Sequence, residues 1–147
     1  MSDPTPLSRS DPPSSDANRR TAIRFFEQVW NDRLDQTIDE VLHPTISAHM
    51  EGADFTGTGP YKQARQAILS AFPDIRVTVE DTAAEGDHVV VRWSARGTHS
   101  GPGLGMAPTS RRVTFRGMTW LTFANGRVVE GWDSWNQGAL LQSLQTP

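Results

Sequence analysis

The chain of 147 residues contains no cysteine and a single lysine. The absence of cysteine excludes disulfide bonds, thiolate metal sites and a cysteine nucleophile, and it fits a reducing compartment. The single lysine, Lys62, follows a glycine-rich stretch at the start of a predicted helix. A lysine that forms a Schiff base needs a desolvated site. Lys62 is therefore a poor candidate for that chemistry.

Long apolar segments and strong charge are missing as well. No run of apolar residues approaches the roughly 20 that span a bilayer, and the first residues lack the apolar core of a signal peptide. The formal net charge of -3 gives no basic footprint for nucleic acid. We expect a cytoplasmic protein that binds neither nucleic acid nor membrane.

The first half of the chain predicts a tail and then helices. Residues 1–17 are rich in serine, proline and aspartate and predict a disordered tail, which leaves residues 18–147 as one domain. An amphipathic helix follows, because four apolar residues share one helical stripe. These residues are Ile23, Phe26, Trp30 and Leu34. Two shorter helices are predicted over residues 36–42 and 61–71.

The second half predicts strands, because apolar and polar residues alternate over residues 75–81, 89–98, 113–123 and 129–135. Asn125-Gly126 is typical of a hairpin turn, and a short helix is predicted over residues 137–144. Helices followed by strands predict an α+β fold. We expect the helices to pack on one side of a curved antiparallel sheet, forming a cone whose inner wall carries the odd-numbered residues.

Asp133 is the principal candidate for catalysis. It lies between Trp132 and Trp135 on the last predicted strand, and charged groups seldom lie among large aromatic residues unless they are paired or functional. Surroundings of low polarity raise the pKa of a carboxyl group toward the range of a general acid or base. The alternative is a helix cap formed by Asp133 or Ser134, since Ser134 and Gln137 fit a capping box. The residues alone leave both interpretations open.

Two of the four histidines, His49 and His99, are candidates for a second catalytic group. His49 lies near a strand start, in a short strand predicted over residues 46–50, and His99 follows Gly97-Thr98 at a strand end. His43 precedes a proline and His88 lies in a turn, so we interpret both as structural. Metal sites usually use tighter clusters of ligands than these spacings offer. We therefore expect no metal and no cofactor. A hydrogen-bonded structural role remains the alternative for His49 and His99.

Aromatic residues on the inner wall predict a cavity for a flat hydrophobic ligand. The residues predicted to contact this ligand are Phe26, Trp30, Met50, Trp93, Phe115, Thr119, Trp135 and Asn136. Ordinary core packing is the alternative, most of all for Phe115. On the opposite face, Met118, Trp120 and Trp132 would meet solvent in a monomer, and this predicts a subunit interface.

A series of short motifs in the second half of the chain resembles that of a known family. The motifs are Gly97-Thr98-His99-Ser100-Gly101, Gly105, Pro108-Thr109 and Arg111-Arg112-Val113. They are similar to the GTHxG…G…PT…RRV stretch of the SnoaL-like polyketide cyclases. Residues 71–74, 85–87 and 140–144 are also similar, so that the resemblance covers residues 18–144. It implies an NTF2-like (ketosteroid-isomerase-like) α+β cone that is usually dimeric or larger.

The resemblance also implies a reaction. Cyclases of this family close the last ring of aromatic polyketides by an intramolecular aldol condensation without metal or cofactor, and their acid/base aspartate matches Asp133. Their pocket histidine falls at Thr119 and a neighbouring glutamine at Gly117, while an asparagine aligns near Ala48, beside His49. The resemblance therefore implies the fold and the acid/base more directly than the substrate.

Three hypotheses follow. The first is a cofactor-free polyketide cyclase of secondary metabolism, in which Asp133 moves the proton, and His49 or His99 polarises an oxygen of a small, aromatic, polyketide-like substrate. The second is an epoxide-opening cyclase or hydrolase, in which Asp133 activates a hydroxyl group or water and a donor such as His99 protonates the epoxide oxygen. The third is a non-catalytic ligand-binding protein. Each is expected as a homodimer or larger homo-oligomer through the outer face of the sheet.

Overall fold

The computed structural model describes residues 15–145, and within them four helices pack on one six-stranded sheet. The helices are α1 (Ser15–Phe26), α2 (Asp35–Val41), α3 (Thr58–Ala71) and α4 (Gln137–Gln145), and α1 continues as a π-helical segment over Glu27–Asn31. Leu34 follows this segment and is 39% exposed, so that it leaves the predicted stripe. None of the described helices is both long and apolar enough to cross a membrane.

The strands are β1 (Leu42–Met50), β2 (Ala53–Thr56), β3 (Arg76–Glu85), β4 (His88–Thr98), β5 (Arg112–Ala124) and β6 (Arg127–Trp135). They lie in the order β2-β1-β6-β5-β4-β3, and the sheet is open. The predicted α+β fold is confirmed. The sheet is mixed, however, because β1 pairs with β6 in parallel while the other pairs are antiparallel.

The boundaries of most elements agree closely with the sequence. Asn125 and Gly126 have φ angles of 52° and 80°, as a two-residue hairpin turn of the primed type requires. Helix α1 begins at Ser15, earlier than the predicted boundary at residue 18. The rest of the predicted tail, residues 1–14, lies outside the described residues.

The core fills one end of the space between the helices and the sheet. Val89 and Val91 of β4 and Val29 next to α1 are completely buried there. Further along β4 the inward residues are Trp93 and Ala95, which border a cavity instead. The same inner face of the sheet therefore supplies a packed core at one end and a cavity wall at the other.

Candidate active site

The cavity lies between the inner face of the sheet and helices α1 and α3. The cavity has a volume of about 900 Å³, including the space at its open mouth. Most of the side chains around it are apolar or aromatic, and Asp133 is the only carboxylate among the described residues that line it. Such a site suits a hydrophobic ligand that presents one proton to be moved.

Asp133 is held by a short chain of hydrogen bonds. It pairs with Thr119 across β5 and β6, and Thr119 Oγ1 donates to Asp133 Oδ1 over 2.5 Å. Trp93 Nε1 donates to Thr119 Oγ1 over 3.0 Å. Because an indole N–H can only donate, the threonine oxygen accepts from Trp93 and its own proton points to the carboxylate. Oδ1 is thus fixed by the hydrogen bond from Thr119.

The surroundings of Asp133 raise the pKa of its carboxyl group. Burial is the largest cause, because it disfavours the ionised form. The hydrogen bond from Thr119 acts in the opposite direction, and the negative charge of Glu51 adds to the rise. Glu51 lies at the rim, where its Oε1 accepts from the backbone N–H of Trp135 over 3.0 Å. A raised pKa makes this carboxyl group a stronger base and a more readily available acid than an exposed aspartate.

A glycine allows two tryptophans to meet on the cavity wall. Gly117 of β5 pairs with Trp93 on one side and Trp135 on the other. A Cβ atom at this position would lie 2.7 Å from Cζ2 of Trp93 and 2.6 Å from Cβ of Trp135. Phe115 completes the group, with its ring centroid 5.1 Å from that of Trp135. The missing side chain at Gly117 is therefore what makes room for the indole that bonds Thr119.

Seven of the eight predicted ligand contacts lie on the cavity wall. They are Phe26, Trp30, Met50, Trp93, Phe115, Thr119 and Trp135. Their role in substrate binding stays a prediction.

The eighth, Asn136, is not among the residues that line the cavity. Its Oδ1 accepts from the backbone N–H of Ala139 over 2.8 Å, which makes it the N-terminal cap of α4. Asn136 thus fills the capping role that Asp133 and Ser134 were candidates for, because β6 ends one residue before it.

The structure does not place His99 at the cavity. Its ring is completely buried against Phe72, with ring centroids 5.6 Å apart. Its Nδ1 accepts from the backbone N–H of Thr109 over 3.2 Å and lies 3.0 Å from the Thr109 hydroxyl. These bonds close the loop that follows β4. His99 is not among the described residues that line the cavity, and its catalytic role stays a prediction.

His49 borders the cavity through β1, but its imidazole contacts the opposite face of the sheet. The ring stacks on Trp132 with centroids 3.7 Å apart, and its two nitrogens lie 2.9 Å from carboxylate oxygens of Asp54 and Glu130. The hydrogen bond to Glu130, and then the one to Asp54, raises the pKa of His49. Because β1 runs parallel to β6, His49 is in register with Trp132 rather than with Asp133.

Two polar residues on α3 also line the cavity, and neither was predicted. Arg65 is 4% exposed, and its guanidinium binds Asp35 over 2.7 Å and the carbonyl oxygen of Val29 over 3.0 Å. Tyr61 lies one turn earlier and packs on Phe25 with ring centroids 5.9 Å apart. The spacing of Tyr61, Arg65 and Ile68 is the signal that could have placed them on one helix face.

Metal-ligating side chains do not converge at this cavity. Within residues 15–145, no group of three or more histidine, aspartate or glutamate side chains is arranged to hold a metal ion.

Comparison with known proteins identifies a family to which this chain is similar. A model of the SnoaL-like polyketide cyclases matches residues 20–144. A protein from Jannaschia sp. CCS1, assigned as a SnoaL-like polyketide cyclase, is 26% identical with a TM-score of 0.85, covering 92% of this chain and 96% of that one. Among curated protein sequences, none matches significantly.

Two proteins from Streptomyces are also similar. AclR from Streptomyces galilaeus, assigned as a hydroxylase, is 28% identical with a TM-score of 0.80, over 91% of this chain and 87% of that one. IdmH from Streptomyces antibioticus, assigned as a polyketide cyclase, is 27% identical with a TM-score of 0.77, over 88% of this chain and 99% of that one. These likenesses agree with the predicted NTF2-like architecture.

Proposed function

Since this chain belongs to the SnoaL-like polyketide cyclase family, we propose that it closes a ring of an aromatic polyketide by an intramolecular aldol condensation, with Asp133 as the general acid and base. The observation that carries this proposal is a single carboxylate in an aromatic-walled cavity, held at one oxygen by Thr119. Its other oxygen can face the substrate.

The reaction needs one proton carrier. Ionised Asp133 removes a proton from the carbon next to a carbonyl group, and the resulting enolate carbon attacks a second carbonyl carbon of the same molecule. One carbon–carbon bond forms, and the protonated carboxyl group then returns its proton to the new alkoxide. The raised pKa of Asp133 serves both steps, because it strengthens the base and keeps the conjugate acid available.

The aromatic wall supports the same proposal. Trp93, Phe115 and Trp135 form one cluster, with centroids 6.2 Å apart for Trp93 and Phe115 and 6.4 Å apart for the two tryptophans. Flat rings of a polyketide can stack or pack edge-on against such surfaces. The apolar surroundings also keep water from competing for the enolate.

The epoxide-opening alternative needs a proton donor, and His99 is the example that the sequence offered. His99 is buried against Phe72 and bonded to Thr109, away from Asp133. That alternative therefore loses its first candidate donor.

The test is turnover of an aromatic polyketide methyl ester whose last ring is open, followed by chromatography and NMR of the product. Ring closure at a rate well above that of the buffer alone supports the proposal. Tight binding without product would instead support the ligand-binding hypothesis.

The pH dependence gives a first prediction. Replacing Thr119 by valine removes the hydrogen bond that favours the ionised carboxylate, so the pKa of Asp133 should rise further. The acid limb of the kcat/KM profile should then move to higher pH. Thr114→Val, on the outer face of the same strand, is the matched control and should leave the profile in place. Coincident profiles for wild type and Thr119→Val would contradict the role of this bond.

We also propose that the outer sheet face forms a homodimer. Met118, Trp120 and Trp132 are 53%, 48% and 51% exposed there, and Trp120 and Trp132 pair across β5 and β6. Sedimentation equilibrium should give twice the chain mass of 16.2 kDa. Trp120→Glu should yield the monomer, whereas Leu34→Glu, at an exposed apolar residue elsewhere, should not. A wild-type monomer at micromolar concentration would refute this interface.

A further inference from the structure

Tyr61 is the only tyrosine of the chain, and it has no part in the chemistry described so far. Helix α3 places it on the cavity wall that faces the sheet. Its ring packs on Phe25, with centroids 5.9 Å apart, so that the ring position does not depend on the hydroxyl group.

The Tyr61 hydroxyl can donate a hydrogen bond. Its side chain lines the same cavity as Asp133 and Thr119, but from the helical side. A phenol O–H is both a donor and an acceptor, whereas the hydroxyl of Thr119 already donates to Asp133.

The surroundings of Tyr61 raise the pKa of its phenol. Burial is the main cause that raises the pKa of Tyr61, and the negative charge of Asp133 adds to it. The phenol therefore stays protonated at neutral pH. The positive charge of Arg65, one helical turn away, acts in the opposite sense. Helix α3 thus presents a donor and a positive charge to the cavity, while β6 presents the base.

We propose that Tyr61 donates a hydrogen bond to the carbonyl oxygen of the substrate, which defines the substrate as an enolisable aromatic ketone with its oxygen toward α3 and its acidic carbon toward Asp133. This inference rests on the proposed acid/base role of Asp133. As the proton leaves carbon, negative charge grows on the oxygen and the bond from the phenol strengthens. Neither His49 nor His99 is placed to supply that bond, because their rings contact Trp132 and Phe72.

A pair of ligands that differ only in the carbonyl group tests the inference without turnover. 1-Tetralone carries the ketone, and tetralin is the hydrocarbon of similar shape. Binding is followed by tryptophan fluorescence for wild type and Tyr61→Phe, which keeps the ring that packs on Phe25. We expect Tyr61→Phe to raise the Kd of 1-tetralone about tenfold, as loss of one hydrogen bond implies. The Kd of tetralin should stay unchanged.

Several outcomes would overturn the inference. An equal loss for both ligands would show that Tyr61 only shapes the cavity, and unchanged binding of both would show that it does not meet the carbonyl group. If wild type binds the ketone no more tightly than Tyr61→Phe does, Tyr61 likewise does not meet the carbonyl group. Binding of tetralin by the variant confirms that its cavity is folded.

Ring closure separates this inference from the proposed function. Tyr61→Phe should lower kcat about 100-fold, with a smaller change in KM, because the bond is strongest in the transition state. If Asp133→Asn abolishes ring closure while Tyr61→Phe changes neither kcat nor ketone binding, the proposed role of Tyr61 is refuted and the acid/base role of Asp133 is supported. If Asp133→Asn closes the ring normally while Tyr61→Phe still loses affinity for the ketone, the acid/base role of Asp133 is refuted and the hydrogen bond from Tyr61 to the carbonyl group is supported.

Discussion

Asp133→Asn is expected to lower kcat for ring closure by about 100- to 10,000-fold, the range typical of a lost general acid/base. Asparagine has almost the same shape, and its carbonyl oxygen can still accept the hydrogen bond from Thr119. The substitution therefore removes the proton carrier and leaves the cavity walls in place. Single-turnover assays with saturating substrate measure the effect. Asp87→Asn, in the turn between β3 and β4, is the matched control and should keep wild-type turnover.

The same substitution should not destabilise the protein at neutral pH. The folded-state pKa of Asp133 lies above the value of 3.8 for a free aspartate. The free energy of unfolding therefore falls as pH rises from the unfolded-state pKa through the folded-state pKa, and it stays lower above it. Asparagine has no charge to bury and escapes this loss. Urea denaturation at pH 7 should show the variant at least as stable as wild type.

Loss of activity together with retained stability would identify Asp133 as functional. A variant that closes the ring at the wild-type rate would refute its acid/base role, and a variant that is inactive because it unfolds would contradict the predicted stability. The two measurements must therefore be made on the same preparation.

Gly117→Ala is the second substitution with a large expected effect. The added methyl group would lie 2.7 Å from the backbone oxygen of Ser134 and 2.7 Å from Cζ2 of Trp93. Backbone of β6 cannot easily retreat from a paired strand, so Trp93 has to move. We expect a loss of about 1–3 kcal/mol in the free energy of unfolding, as for other overpacked sites. Urea denaturation measures the loss.

A second inward glycine offers a matched control. An added Cβ at Gly131 would meet Leu121 Cδ2 at 3.5 Å and the carbonyl oxygen of Trp120 at 4.0 Å, both ordinary contacts. Gly131→Ala should therefore unfold at nearly the wild-type urea concentration. Equal stability of the two variants would contradict the crowding described at Gly117.

Gly117→Ala should also change the chemistry through Trp93. Moving this indole weakens its bond to Thr119 Oγ1 and frees the threonine hydroxyl from its fixed orientation. The bond to Asp133 then loses its alignment, and the pKa of the carboxyl group should rise as in Thr119→Val. The resemblance placed a glutamine at this position. In this chain the space is occupied by Trp93 instead, and the tryptophan supplies the polar contact.

Much of the cavity wall follows from the two-residue period of strands. Alternation along β5 and β6 predicted that Thr119 and Asp133 face the same side, and their direct pairing places them in contact. Which residues of β1 face the cavity could not be predicted in this way. Its parallel pairing with β6 joins residues far apart in sequence, and that pairing decides that His49 shares a face with Trp132.

The differences from expectation at the ends of elements have local causes. His99 follows the last residue of β4, and its direction is set by Phe72 and Thr109 rather than by the period of the strand. Tyr61 was predicted as the first residue of a helix. Helix α3 instead begins at Thr58, after Gly57, whose φ of 95° and bond to Ile46 O depend on the folded chain. These earlier residues place Tyr61 within the helix and turn it to the cavity.

The order of strands also has a consequence for how the molecule forms. Strands β3 to β6 are neighbours both in sequence and in the sheet, and they can assemble from local contacts. The β1–β2 hairpin can join them only through β6, which follows β1 by about 80 residues in the chain. Long-range pairings of this kind are slow steps in folding. The strand that carries Asp133 is thus the one that unites the two parts of the sheet, and the position of the base depends on both the local pairing with β5 and the long-range pairing with β1.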